Sequence, residues 1–248
     1  MKQWVDLNCD LGEGCTTDEA IMPYISSANI ACGYHAGDVD TIKQTLALAK
    51  QNNVAIGAHP SYPDRANFGR KEMDLPIQEI KSLVMEQVRL VQSLAEVMGL
   101  RVHHVKPHGA LYNKAAKDEA TAIAIAETVY AIDPSLILFG LANSESGKAA
   151  KKLGLPFYNE VFADRTYTDQ GQLTPRTEPN AMITTDEEAI RQVLQMLKEE
   201  TITSTNGKII PIQADTICIH GDGEHAVSFA EHINTLIKNS KIKISSEA

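Results

Sequence analysis

Residues 4–10 read W-V-D-L-N-C-D, and this stretch decides the fold because apolar Val5 and Leu7 alternate with polar Asp6 and Asn8. An alternation of period two predicts a β-strand whose two faces meet different surroundings. Val5 and Leu7 should therefore face helices, while Asp6 and Asn8 should face the opposite side of the sheet. Burying a carboxylate is costly unless it has partners, so the stretch predicts a strand that lines a polar interior.

Six further β-rich runs follow this first strand, and stretches of helical period separate most of them. Such alternation predicts a parallel sheet with crossover helices. The predicted strands lie at residues 4–8, 28–32, 54–59, 103–106, 136–140, 157–162 and 216–220. The predicted helices lie at residues 39–52, 76–98, 118–131, 145–153, 186–199 and 223–239.

Seven strands with crossover helices can form an open, doubly wound sheet or a closed, distorted β/α barrel. An open sheet concentrates polar residues at one or two switch points, whereas a barrel gathers them from nearly every strand end around one mouth. Nearly every predicted strand here ends in polar residues, which favours a closed α/β barrel of about seven parallel strands. The connections are too short for interdomain linkers, so residues 1–248 are expected to form a single domain.

Three segments depart from the barrel pattern. Residues 202–212 form two strand-like arms around Asn206-Gly207, which predicts a small β-hairpin with a type I′ turn. Residues 164–179 are polar and rich in Thr, Pro and Gly, which is typical of a functional loop or lid. Residues 238–248 are polar and are expected to be partly frayed.

Composition narrows the class of function. Lys and Arg number 23 against 32 Asp and Glu, and the net charge of −9 has the wrong sign for binding nucleic acid. No run approaches about 18 apolar residues, which argues against a membrane span. Asp6 interrupts the apolar run that a signal peptide requires. The four cysteines form no C-x-x-C pair, and a reducing cytoplasm is the expected location.

Polar residues at the strand ends are the candidate site. Taken singly, each His could be a hydrogen-bonded structural residue, and each Asp or Lys a cap or half of an ion pair. Their coincidence at several strand ends instead predicts one pocket at the barrel mouth. A carboxylate, imidazoles and an ammonium together suit hydrolytic or proton-transfer chemistry. The candidate catalytic residues are Asp6, His59, Lys106 and His220, and the candidate substrate-binding residues are Asn8, His35, His108, Asp164 and Arg165.

Familiar cofactor and nucleophile motifs are missing from the sequence. There is no G-x-S-x-G elbow and no G-x-G-x-x-G fingerprint after a strand. The run from Gly140 to Lys148 separates its glycines by six residues instead of four, and Ala149 stands where a phosphate-binding loop needs Ser or Thr. A divalent metal on Asp6 and two of the histidines is chemically feasible, but no H-E-x-x-H or similarly tight ligand spacing supports it, so the metal question stays open.

Five ordered blocks of the sequence resemble the LamB/YcsF family, which includes the A subunit of the bacterial ATP-hydrolysing 5-oxoprolinase. The resemblance covers nearly the whole chain, from Asp6 to about Ile237. The blocks are D-L-N-C-D-L-G-E at 6–13, A-C-G-Y-H-A-G-D at 31–38, G-A-H-P-S-Y-P-D at 57–64, K-P-H-G-A-L-Y-N at 106–113 and H-G-D at 220–222.

The resemblance implies ATP-dependent ring opening of 5-oxo-L-proline, a cyclic amide, to L-glutamate in an assembly with subunits B and C. It also implies a distorted β/α barrel related to those of glycoside hydrolases and polysaccharide deacetylases. Those deacetylases hold a metal on one Asp and two His, a mechanism that is not carried over to this chain. Because no nucleotide-binding loop is recognisable here, ATP as co-substrate is expected to be handled largely by subunits B and C.

Within that reaction, Asp6 is expected to move protons at the lactam nitrogen or at an attacking water, together with His59 or His220. Lys106 and Arg165 would hold the substrate carboxylate or stabilise the oxyanion. Asn8 and His35 would orient these groups. Two alternatives remain open: a non-catalytic substrate-binding or regulatory subunit of the same complex, and a metal-dependent carbohydrate deacetylase.

Overall fold

The computed structural model describes residues 3–219 and 226–247. Within these residues ten strands are found, and seven of them form one barrel. The strands are β1 (Trp4–Leu11), β2 (Ser27–Ala31), β3 (Ala55–His59), β4 (Val102–Val105), β5 (Ile137–Leu141), β6 (Phe157–Phe162), β7 (Thr201–Thr203), β8 (Ile209–Pro211), β9 (Thr216–Ile219) and β10 (Lys243–Ile244). Seven of them are hydrogen-bonded side by side in the order β1-β2-β3-β4-β5-β6-β9.

The sheet closes on itself because β9 also pairs in parallel with β1, with Asp6 opposite Thr216 and Asn8 opposite Cys218. All the pairings of these seven strands are parallel. The predicted closed α/β barrel of seven parallel strands is therefore confirmed. Parallel strands joined by crossovers point their carboxyl ends toward one mouth, where the connecting loops gather.

Eight helices pack around this barrel in the described part of the chain. They are α1 (Asp18–Ile21), α2 (Val39–Asn52), α3 (Ile77–Val97), α4 (Gly109–Lys117), α5 (Glu119–Ile132), α6 (Glu145–Leu153), α7 (Asp186–Lys198) and α8 (Ala226–Asn239). The six predicted helices are found within a few residues of their expected bounds, although residues 223–225 lie outside the described residues. The short α1 and the two-turn α4 were not predicted. Helix α4 begins directly after the polar block at the end of β4.

Helix α3 illustrates how the outer layer is held. Its apolar residues Ile80, Val84, Val88 and Val91 recur at helical spacing and are fully buried, and α3 packs against α5. Each such side chain stabilises the fold by roughly 1.5–3 kcal/mol. None of the described helices is long and apolar enough to cross a membrane.

Polar side chains fill the barrel lumen, and one glycine makes room for them. His104 of β4 stacks on Phe139 with 4.1 Å between ring centroids, and its Nε2 lies 2.7 Å from Asn29 Oδ1. A Cβ at Gly57 of β3 would come within 2.1 Å of His104 Nε2. Gly57 therefore lets an imidazole occupy the lumen at this height.

The predicted hairpin is confirmed, but its turn is of another type. Strands β7 and β8 pair antiparallel with Thr201 opposite Pro211. A type I′ turn needs positive φ at both central residues, whereas Gly207 has φ +81° and Asn206 is not in that region. Gly207 N donates to Ser204 O, and Ser204 N donates to Lys208 O, which matches a longer loop that ends in a glycine bulge.

The C-terminal segment is more ordered than the prediction of fraying allows. Strand β10 pairs in parallel with Trp4 and Val5 at the start of β1, and Tyr158 Oη donates to Ser246 O. Strand β9 covers only residues 6–9 of β1. The first residues of β1 therefore present an open edge that β10 occupies.

Candidate active site

A cavity of about 480 Å³ opens at the carboxyl ends of the barrel strands. This is the size of a typical small-molecule site and the position where α/β barrels place their active sites. One wall is a loop, residues 164–183, which we call the strap. The strap is the predicted polar loop extended by four residues, and it carries isolated bridges between Arg165 and Met182 and between Tyr167 and Leu173. The barrel and strap residues that matter most at the cavity are Asp10, Glu13, His59, Lys106, His108, Arg165 and residues 173–177.

The structure brings together only part of the predicted site. His59, Lys106, His108 and Arg165 line the cavity, and His35 is buried beside it with its ring stacked on that of His108. Asn8 lies deeper in the lumen. Asp164 is not among the described residues that line the cavity. His220 lies outside the described residues, so its predicted role stays a prediction.

Asp6 lies far below the mouth and is fully buried. Ser26 and Ser27 donate to its Oδ1 at 2.6 and 2.7 Å, and Thr216 donates to its Oδ2. Burial raises the pKa of Asp6 to about 6, although the three hydroxyl donors oppose the shift. The predicted strand end at Asn8 is wrong, because β1 continues to Leu11. Asp6 therefore belongs to the lower half of the strand and not to its carboxyl end.

Asp10 occupies the position at the mouth that the sequence analysis expected of Asp6. Lys106 Nζ and Asn29 Nδ2 donate to its Oδ1 at 2.8 and 2.7 Å. Its Oδ2 lies 3.3 Å from His59 Nε2. The signal was present in the sequence, since residues 6, 8 and 10 continue one alternation of period two.

Lys106 holds the lumen network together and is almost fully buried. Its Nζ contacts Asp10 Oδ1 and Glu160 Oε1 at 2.8 Å each, Asn8 Oδ1 at 3.1 Å and Cys218 Sγ at 3.2 Å. Burial by itself would lower the pKa of Lys106, but the carboxylates of Asp10 and Glu160 raise it well above its ordinary value. Lys106 is therefore a fixed ammonium that positions Asp10, and it is no proton acceptor.

Three imidazoles and one carboxylate converge beside Asp10. The ligand atoms of Glu13, His35, His59 and His108 all lie within 4.8 Å of one another, so these four residues could hold a metal ion. Burial, with the neighbouring His59 as the next cause, lowers the pKa of His35 to about 3 and that of His108 to about 2. Both rings are therefore neutral near pH 7.

Glu13 was missed as a site residue, although it ends the first block that carries the family resemblance. The sequence analysis also overlooked the H-x-x-x-H spacing of His104 and His108, but the structure separates these two residues. His104 is bonded to Asn29 in the lumen, whereas His108 lies in the cluster at the mouth. The cluster therefore takes its histidines from three different strand ends.

Arg165 anchors the strap instead of projecting freely into the cavity. Its Nη2 donates to Thr174 O at 2.6 Å and its Nε donates to Ala181 O at 3.2 Å. The guanidinium thus ties the two arms of the strap together while its side chain still lines the cavity. Arg70 and Arg176 line the same cavity, and a guanidinium can bind an anionic group through paired hydrogen bonds.

Comparison with known proteins gives consistent results. The model of the LamB/YcsF family matches residues 5–248. The A subunit of 5-oxoprolinase from Oceanobacillus iheyensis is 53% identical over 249 residues, which cover 98% of this chain and 97% of that protein. The crystal structure of a lactam utilization protein from Thermus thermophilus superposes with a TM-score of 0.92 at 40% identity, covering 99% of this chain and 100% of that one.

More distant structures share the fold alone. A peptidoglycan deacetylase from Bacillus subtilis superposes with a TM-score of 0.51 at 11% identity, covering 98% of this chain and 87% of that one. The expected likeness to deacetylase barrels is therefore confirmed at the level of architecture. Identity this low carries no statement about shared chemistry.

Proposed function

This chain belongs to the LamB/YcsF family, and on that premise we propose that it is the A subunit of a 5-oxoprolinase, which opens 5-oxo-L-proline to L-glutamate with hydrolysis of ATP. The names of its relatives support the substrate class, since they include the A subunit of 5-oxoprolinase and a lactam utilization protein. The observation in the structure that carries the proposal is the carboxylate of Asp10, fixed by Lys106 in the lining of the cavity at the barrel mouth.

The reaction explains why a partner and ATP belong to the proposal. A lactam carbon is weakly electrophilic because the amide nitrogen shares its lone pair with the carbonyl. Phosphorylation of the carbonyl oxygen would remove this resistance. Because the chain has no recognisable nucleotide-binding loop, subunits B and C would supply the ATP-dependent step, and this chain would hold the lactam during ring opening.

Asp10 is the residue best placed to move protons. Its Oδ1 is fixed by Lys106 and Asn29, while its side chain retains 12% exposure toward the cavity. An ionised carboxylate in this position can take a proton from the water that attacks the activated lactam carbon. As the C–N bond breaks, the same group can return the proton to the ring nitrogen, which ends as the amino group of glutamate. The acyl phosphate left on the former lactam carbon would then be hydrolysed by a second water to the glutamate carboxylate and inorganic phosphate.

The cationic rim would bind the substrate carboxylate. Arg70, Arg165 and Arg176 line the cavity from two sides, and a guanidinium can hold a carboxylate with two parallel hydrogen bonds.

The location proposed for this chain is the cytoplasm. Three of the four cysteines, Cys9, Cys32 and Cys218, are buried free thiols in the structure, which is consistent with a reducing compartment.

The non-catalytic alternative requires no buried charged network. The structure instead has a cavity at the barrel mouth that is lined in part by charged side chains, among them Lys106, whose pKa is raised well above its ordinary value. Perturbed groups of this kind are typical of catalytic sites. This supports the enzymatic proposal over a purely structural role in the complex.

A glutamate-release assay tests the proposal. The purified chain is combined with subunits B and C, with and without ATP, and glutamate formed from 5-oxo-L-proline is measured. Asp10→Asn should lower kcat by about 10²- to 10⁴-fold, the range typical of losing a general acid or base. Glu96→Gln, on the exposed C-terminal turn of α3 at the opposite end of the barrel, serves as the control and should keep wild-type turnover. Wild-type kcat in a folded Asp10→Asn variant would exclude Asp10 from the chemistry.

A further inference from the structure

The hydrogens of two imidazoles in the cluster are fixed by backbone carbonyls. His59 Nδ1 lies 2.7 Å from Lys106 O, and His108 Nε2 lies 2.9 Å from Phe68 O. A carbonyl oxygen only accepts hydrogen bonds, so both of these nitrogens must carry the hydrogen. In the neutral rings, the lone pairs are therefore on Nε2 of His59 and on Nδ1 of His108.

The tautomer of the third ring follows from Ser61. Its hydroxyl donates its single hydrogen to Tyr62 O at 3.0 Å. The contact of 2.8 Å between Ser61 Oγ and His35 Nδ1 therefore needs the hydrogen of His35 Nδ1. The lone pair of His35 is consequently on Nε2. The fully buried side chain of Gln87 holds Ser61 in place by bonding to both the backbone N–H and the backbone carbonyl of Ser61.

All three lone pairs point at one another and at Glu13. His59 Nε2 is 2.9 Å from His108 Nδ1. Glu13 Oε1 is 3.2 Å from His35 Nε2 and 3.6 Å from His108 Nδ1. Asp10 Oδ2 also lies 3.3 Å from His59 Nε2, so ring nitrogens and carboxylate oxygens converge on one point, and a single cation between them would satisfy these contacts together.

The backbone beside the cluster adopts a conformation that accommodates the imidazole rings of His35 and His108. Phe68 has φ +55°, which is uncommon for a residue with a side chain. This conformation aims its carbonyl at His108. The next residue is Gly69 with φ +64°, and a Cβ there would lie 3.0 Å from both His108 and His35. The loop therefore approaches the two stacked rings more closely than any other residue would allow.

We propose that Glu13, His35, His59 and His108 form a binding site for one divalent first-row transition metal ion, with Zn²⁺ the closest match to three imidazoles and a carboxylate. Metal-binding histidines usually donate their second ring N–H to a carbonyl or another acceptor, as all three do here. The site borders the cavity, since Glu13, His59 and His108 also line it. An ion bound there would supply Lewis-acid activation of a substrate oxygen.

The site can be tested on the purified full-length chain without its partners, so the result is independent of the proposed lactam chemistry. The chain is stripped with a chelator, and Zn²⁺ binding is followed by calorimetry and by elemental analysis after desalting. We expect one ion per chain and a rise in Tm when Zn²⁺ is added, because a ligand that binds only the folded state stabilises it. Co²⁺ used in place of Zn²⁺ should give visible absorption bands.

Variants at the ligands locate the ion. His108→Gln and Glu13→Gln should each weaken Zn²⁺ binding by about tenfold or more and reduce the Co²⁺ bands, since loss of even an outer partner costs about 10–100-fold. His232→Gln is the control, because His232 is half exposed on α8 and pairs with Asp186. It should bind as the wild type does. If the two ligand variants do not fold, the Co²⁺ spectrum of the wild type alone decides.

Two outcomes would overturn the proposal. The first is a stripped, folded wild-type chain that takes up no Zn²⁺ and shows no Co²⁺ bands. In that case hydrogens, and no metal ion, would lie between the facing ring nitrogens. The second is a folded His108→Gln or Glu13→Gln variant that binds with wild-type affinity, which would place the ion elsewhere in the chain.

Discussion

Replacing Lys106 by Met tests whether the ammonium holds the barrel interior together. In the native chain Lys106 Nζ lies 2.8 Å from carboxylate oxygens of both Asp10 and Glu160, and the side-chain exposures of the three residues are only 3%, 12% and 0%. At an effective dielectric constant of about 20, each pair at this distance attracts with about 6 kcal/mol before desolvation is counted. Met has a similar length and removes the charge without opening a large cavity.

The net loss of stability is smaller than the sum of these attractions. Desolvation offsets much of a buried ion pair, and removing one partner usually costs about 3–5 kcal/mol because the other charge stays buried and unpaired. For a chain of this length, about 2–4 °C of Tm is lost per kcal/mol. Lys106→Met should therefore lower Tm by roughly 6–20 °C.

A double-mutant cycle separates this effect from simple loss of packing. Glu160→Gln keeps an acceptor for Asn8 Nδ2, which donates to Glu160 Oε1 at 3.0 Å. In Lys106→Met/Glu160→Gln one of the two buried carboxylates that lost the ammonium is neutralised, so the double variant should recover about 0.5–3 kcal/mol relative to additivity.

Urea unfolding followed by fluorescence measures all three variants. The chain has one tryptophan, Trp4, whose ring lies 5.3 Å from that of Tyr158. This contact breaks when the barrel opens, so the emission reports global unfolding. A Lys106→Met variant within about 1 kcal/mol of the wild type, or strictly additive losses in the double variant, would refute the assigned role of the ammonium.

Three further predictions concern the lumen and the strap. The pKa of Asp6 is raised from 3.8 to about 6 in the folded chain, so this group stabilises the fold below pH 3.8 and that contribution is lost as pH rises through 6. The unfolding free energy of the wild type minus that of Asp6→Asn should accordingly fall by about 2 kcal/mol between pH 4 and pH 7, and a constant difference in urea titrations would disprove the shift. Gly57→Ala should cost about 1–3 kcal/mol of stability, because the new methyl group collides with His104; unchanged urea midpoints would contradict this. Arg165→Gln should raise the KM for 5-oxo-L-proline more than it lowers kcat, because the strap loses its ties to Thr174 and Ala181; an unchanged KM in the glutamate-release assay would show that substrate binding does not depend on these ties.

Much of the fold could be predicted because its signals are local. Alternation of period two marked the barrel strands, and helical spacing of apolar residues marked six helices. Closure could be inferred because polar residues followed nearly every strand. The C-terminal strand β10 could not be predicted, because its pairing depends on the edge left open at the start of β1. The end of β1 was misplaced although the alternation of period two continues to Asp10.

The candidate site, like the fold, could be predicted only in part. His59, Lys106, His108 and Arg165 lie at the mouth, where the strand-end rule places them. Asp6 was preferred over Asp10 because both lie on the same face of one strand, and the sequence does not give their depth in the barrel. Depth depends on the stagger between strands, which places Asp6 opposite Thr216 near the start of β9.

The sequence by itself determined that this chain forms an α/β barrel with polar residues in its lumen and at its strand ends, because side-chain periodicity and turn residues act over a few positions. Only the tertiary structure decided which polar residues meet. Glu13 joins three histidines from separate strand ends, and carbonyl oxygens of Lys106 and Phe68 fix which nitrogen of two rings carries a hydrogen. Distances between side chains that are far apart in sequence follow from how the strands are staggered around the closed barrel, and no local pattern encodes that stagger.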